Sequence, residues 1–199
     1  MPPIRRRRRA PGQSLVEFAL VFPIFVVMLL GLLEFGFVFN AVLAVNFASR
    51  DAALAAAEAG DVTGGDCFIL KAVDGAIDAP AADSRIQSVT IYRASPTGAQ
   101  IGDATVYVRD EAAGNTSICA AAGGSTMSYR RTANGYPESS RCNILGGCDP
   151  NSTNDTVDNV AVRVTYAHPY LTPIKSFFGG SGATLVFDRE SVMRMEPVL

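Results

Sequence analysis

The chain has no tryptophan, one histidine and four cysteines, and only 18% of its 199 residues are charged. A single histidine leaves little material for imidazole-based catalysis. There is no Cys-x-x-Cys pair, and His168 is followed directly by Pro169, so no zinc-ligand pattern is present. The glycine pairs at 64–65, 123–124, 146–147 and 179–180 lack the Lys-Ser/Thr that completes a phosphate-binding loop. Asp149, Asp155 and Asp158 lie near Asn151 and Asn154, but without the Glu and Gly spacing of a calcium loop, and they read as a solvated polar segment. No nucleophile and base converge. The expectation is a non-enzymatic chain with no cofactor and no metal.

The first twelve residues lack acids altogether, and residues 5–9 are an unbroken run of five arginines. With a formal net charge of -2, the rest of the chain is acidic and gives no reason to expect nucleic-acid binding. The basic run directly precedes a long apolar stretch, the arrangement in which Lys and Arg stay on the cytoplasmic side of a membrane.

What the chain does have is apolar residues: 48% hydrophobic, with a mean hydropathy of +0.20. From residue 15 to residue 45 the only charges are Glu17 and Glu34. Twelve Leu, Ile, Phe and Val residues lie between positions 18 and 33. On insertion scales they favour membrane entry by about 5 kcal/mol. Pro23 is a helix breaker that transmembrane helices tolerate. The run exceeds the 7–15-residue apolar core of a signal peptide and reads as an anchor, N-terminus inside and the remainder outside. As a helix the run reaches about 46 Å, against a hydrocarbon core of about 30 Å. Its outer end, with Phe35, Phe37, Phe39, Val42 and Leu43, therefore needs cover from the chain's own domain or from partner helices. Nothing before Gly60 ends the helix cleanly, so the expectation is one helix of about 45 residues, long for a globular protein.

Glu17 lies just inside the apolar run, where a carboxylate is costly and usually functional. It stands five residues after Gly12, behind the basic leader. The segment Gly12-Gln13-Ser14-Leu15-Val16-Glu17-Phe18-Ala19-Leu20-Val21-Phe22-Pro23 resembles the start of TadE-like proteins, pilin-like components of bacterial tight-adherence (Flp-type) pilus systems. The polar-alanine stretch 46–53 is similar to the continuation of such helices. The resemblance covers about residues 12–58, and it implies cleavage by a prepilin peptidase between Gly12 and Gln13. Glu17 would then be the fifth residue of the mature chain, able to pair with a neighbouring subunit's new amine and fix axial register. Gln13 departs from the aromatic or Met that opens many mature pilins. The implied function is pilus biogenesis and surface adhesion. The implied partners are the peptidase, other pilin-like subunits, the assembly platform and the lipid bilayer. The other reading is a single-pass anchored exterior binding domain with no pilus role.

The expected division is a basic leader at 1–12, a long helix at 13–59 that spans the membrane in its first half, and an exterior α+β domain at 60–199. Within that domain, residues 68–77 read as a short helix. Residues 86–93, 104–109, 159–167 and 183–188 read as strands, with 191–195 a further extension of the last. Val160, Val162 and Val164 alternate with Ala161, Arg163 and Thr165, which gives one apolar face. Residues 114–158, rich in Gly, Ser, Thr and Asn, read as a large irregular loop held by disulfides. The fold class is therefore α+β, with a small antiparallel sheet packed on the outer half of the long helix. Four cysteines allow three pairings. Cys142 and Cys148 flank a Gly-Gly turn and are paired here, which leaves Cys67 with Cys119. Asn115, Asn151 and Asn154 head Asn-x-Ser/Thr sequons, relevant only in a host that glycosylates them.

Overall fold

The computed structural model describes residues 12–112, 118–119, 123–124, 126–145, 148, 157–173 and 184–197. The arginine run, the sequons at Asn115, Asn151 and Asn154, and Asp149 and Asp155 lie outside them, whereas Asp158, read with those two as solvated, is buried and paired with Arg93.

Helix α1 runs unbroken over Gln13–Ala59, 47 residues or about 70 Å at 1.5 Å per residue. Pro23 sits inside it. It ends where Gly60 takes φ 53°, a conformation only glycine adopts without strain, and a Cβ there would collide with Asn143. From residue 41 its buried face is almost all small: Ala41, Val45, Ala48, Ser49, Ala52, Ala53, Ala56 and Ala57. Small side chains let the helix axis lie close to whatever covers it.

That cover is a second helix and a five-stranded sheet. Helix α2 spans Gly65–Ala76, and the strands are β1 Ile86–Ala94, β2 Gln100–Arg109, β3 Tyr129–Asn134, β4 Asn159–Pro169 and β5 Thr184–Arg194. Every pairing is antiparallel, in the order β3-β2-β1-β4-β5. Val160, Val162, Val164 and Tyr166 of β4 are fully buried, and with Val89 and Ile91 of β1 they join the α1 alanines and Ile69, Leu70 and Val73 of α2 in one core. The opposite sheet face holds only a small cluster, Tyr92, Ala94 and Ala161.

Several elements differ from the sequence reading: β2 begins at Gln100 rather than at 104, and β1 and β4 run one and two residues further than expected. The 114–158 stretch is not wholly irregular, because it contains β3. This strand has one buried residue, Tyr129, followed by five exposed ones, so it carries no apolar alternation. It is a charged edge strand, held by pairing to β2 and by Gly135, whose N–H donates to the Ala104 carbonyl at 3.0 Å where a Cβ would strike Asp103. Helix α2 starts three residues early because its cap is distant: Glu138 accepts from the N–H groups of Gly64 at 2.9 Å and Asp66 at 2.7 Å. The last strand is one continuous element, pairing with β4 from Asn159–Arg194 to Pro169–Thr184.

Candidate processing and anchoring site

At its N-terminal end α1 begins immediately after Gly12. The glycine has φ -96° and ψ -9°, and a Cβ on it would meet nothing within 4 Å. Neither backbone conformation nor space demands glycine here. One turn on, the Gln13 side-chain amide donates to Glu17 Oε1 at 3.1 Å, an exposed i,i+4 contact on the helix surface. Gly12, Gln13 and Glu17 thus share one exposed helical turn. The residues after them are apolar and bare: Leu15, Phe18, Leu20 and Ile24 are each about two-thirds exposed.

The second acid of the apolar run, Glu34, has a different setting. In the sequence it is only the second charge of the apolar run. In the structure its side chain is buried, and its carboxylate accepts from the backbone N–H groups of Leu171 at 3.0 Å and Thr172 at 2.7 Å. His168, the last inward residue of β4, brings Nε2 within 3.5 Å of Glu34 Oε1. That separation is long for a hydrogen bond, so the contact is electrostatic. Burial pushes the His168 pKa below its usual value, opposed by Glu34 and assisted by Arg85. The group is an anchor: one carboxylate fixes the chain leaving β4 to the helix. Glu34 signals itself in the sequence only as a charge among apolar residues. Its partners lie more than 130 positions away.

A second buried network clamps α2. The Asp66 carboxylate receives the Tyr107 hydroxyl at 2.5 Å and the Arg141 guanidinium, whose side chain is wholly buried and lies over the Tyr136 ring at 5.5 Å. Tyr136 donates in turn to Asp158 at 2.9 Å, and Arg93 pairs with the same carboxylate at 2.7 Å. Burial, together with these carboxylates, pushes the Tyr107 and Tyr136 phenols far above their ordinary range, so both stay protonated donors. Cys67 is bonded to Cys119 and Cys142 to Cys148. The first bridge ties α2 to a segment 52 positions on, and the second closes a loop of sequence separation 6 beside the Arg141 network. Among the described residues no group of three His, Cys, Asp or Glu side chains is placed to hold a metal ion.

Comparison with known proteins matches residues 12–54 to the TadE-like protein family. Over these residues the chain is similar to TadE-like proteins. The match opens on Gly12 and covers α1 almost to its end, so the TadE-like region is the helix and the sheet domain lies beyond it. No curated protein matches the chain, and no solved structure does. The family points to a pilin-like protein connected with tight-adherence pili, and TadE-like pilus components are generally structural. Among the described residues one helix, near the N-terminus, is long and apolar enough to cross a membrane, which suggests a membrane anchor.

Proposed function

We propose that this chain is a non-enzymatic, pilin-like component of a bacterial tight-adherence pilus assembly system. It is inserted with its N-terminus inside, trimmed by a prepilin peptidase between Gly12 and Gln13, and used in pilus biogenesis and surface adhesion. The observation that carries the reading is the glycine at position 12. The fold needs no glycine there, yet it stands at the first residue of the TadE-like match and immediately before the helix begins. Without a Cβ, Gly12 leaves its backbone carbonyl open to close approach by a peptidase's catalytic groups.

In this reading about twenty residues, from Leu15 to Glu34, cross the bilayer. The 60–199 domain sits outside, where disulfides persist. Cleavage leaves a positive amine on Gln13, one turn from Glu17. Between packed subunits that amine offsets the desolvation of a neighbour's Glu17 and sets axial register, the best-attested use of a buried charge pair.

The deciding experiment is the N-terminus of the membrane-extracted protein, by intact mass and terminal peptide, with and without the peptidase. A chain that starts at Gln13 only when the peptidase is present supports the proposal. A chain that keeps residues 5–9 in both cases overturns it, in favour of an anchored exterior binding domain. Glu17→Ala is expected to be cleaved but not assembled, and normal assembly of that variant removes the role given to Glu17.

A further inference from the structure

The domain covers α1 on one side only. Taken as a heptad, the helix presents Glu34, Ala41, Val45, Ala48 and Ala52 to its own domain at positions b and f, with Ser49 and Ala56 at c and Ala53 at g completing the buried face. From Gly36 to Leu54 the a and d positions remain bare, and the seam ends at Ala57, the next d, which is buried under the domain. The bare positions are Gly36, Asn40, Leu43, Phe47, Arg50 and Leu54, all exposed. Leu43, Phe47 and Leu54 expose 39%, 54% and 45% of their surface. The same 3-4 spacing continues back through Leu33 and Leu29.

Lipid does not reach the upper part of this seam. Leu43 lies nine residues beyond Glu34, about 13 Å along the axis, and Leu54 about 30 Å, whereas the headgroup layer adds only about 5–8 Å on each side. Protein must cover these side chains. Every inserted copy has the same orientation and depth, so two copies present identical seams in parallel and in register. Gly36, with nothing within 4 Å of a Cβ position, permits close approach. Asn40 is the single polar a residue of the kind that fixes register in a parallel pair. Arg50 at d has Asp51 beside it, so each guanidinium meets the other copy's carboxylate. We propose that the occupant is a second copy of this chain, forming a parallel two-helix coiled coil along Gly36, Asn40, Leu43, Phe47 and Leu54 with the sheet domains outside. The proposal rests on the membrane-anchored reading above.

The test uses the full chain in membranes, with a benzoyl-phenylalanine photocrosslinker at position 47 on the seam or, as control, at the exposed Ile101 of β2. Irradiation is expected to give an adduct of twice the chain mass from position 47, both arms belonging to this chain, and none from position 101. An adduct with another protein, or no adduct from a membrane-bound chain, overturns the dimer alone. A chain found outside the membrane fraction overturns the anchored reading as well. Independently, Leu43→Ser/Phe47→Ser changes two exposed side chains and leaves the circular dichroism intact. In detergent it is expected to weaken self-association at least tenfold, and unchanged self-association overturns the proposal.

Discussion

The two halves of α1 form one continuous helix in two environments. Beyond Glu17 and up to residue 33 the helix carries no charge, and none of its residues is buried. From residue 34 it is two-faced, small and buried on one side, large and bare on the other. Helix propensity does not separate the halves, since both are rich in good formers. What separates them is where the free energy comes from. The first half needs an apolar medium around it, while the second is held by side chains that arrive from far along the sequence.

The strongest way to break the comparison is through the clamp that ties α2, which covers the second half, to β2 and Arg141. Arg141→Ala strands the buried Asp66 carboxylate and is expected to cost about 3–5 kcal/mol. This is read by urea unfolding of the full chain in mild detergent, with membrane insertion unchanged. Next is a matched pair of enlargements. Ala52→Leu forces a larger side chain into the interface with the sheet and is expected to cost about 1–3 kcal/mol. Ala19→Leu, on the bare half, leaves domain unfolding where it was. Equal effects from the two would erase the distinction. Glu34→Ala acts at the boundary itself. It removes the acceptor for two backbone donors and is expected to cost about 1–3 kcal/mol, visible as faster amide exchange at Thr172. The smallest effect is in pH. His168 has its pKa lowered by burial in the folded chain, so the unfolded chain binds the proton more readily. The stability this contributes is fully present above about pH 6.5 and is lost as pH falls through the folded-state value. Melting curves are expected to shift down on acidification, and less so in His168→Gln, which does not titrate.

Much of this architecture is legible in the sequence because it is periodic. The apolar run, its end at Gly60 and the Val160–Val162–Val164 alternation each state their element directly. The similarity that opens at Gly12 is legible for another reason, since it is a local signal at the start of the helix. The missing pieces are those whose stabilisation is remote. Strand β3 has no apolar rhythm of its own and exists because β2 offers an edge. The start of α2 depends on a carboxylate at position 138, and the role of Glu34 depends on N–H groups at positions 171 and 172. Composition and spacing record what a residue is, and these three features depend on what another residue brings to it.

A last consequence follows from the unbroken course of α1. Between Gln13 and Ala59 no turn or left-handed residue interrupts the helix, and the sheet, α2 and the Glu34 anchor all grip its upper part. The sheet domain is therefore mounted on a stiff shaft rather than tethered by a cord. Any tilt, twist or axial pull applied to the lower end arrives at the domain as rigid-body displacement. A machine acting on the first few turns would move the whole molecule as one body, with torque and load carried by a rod about 70 Å long.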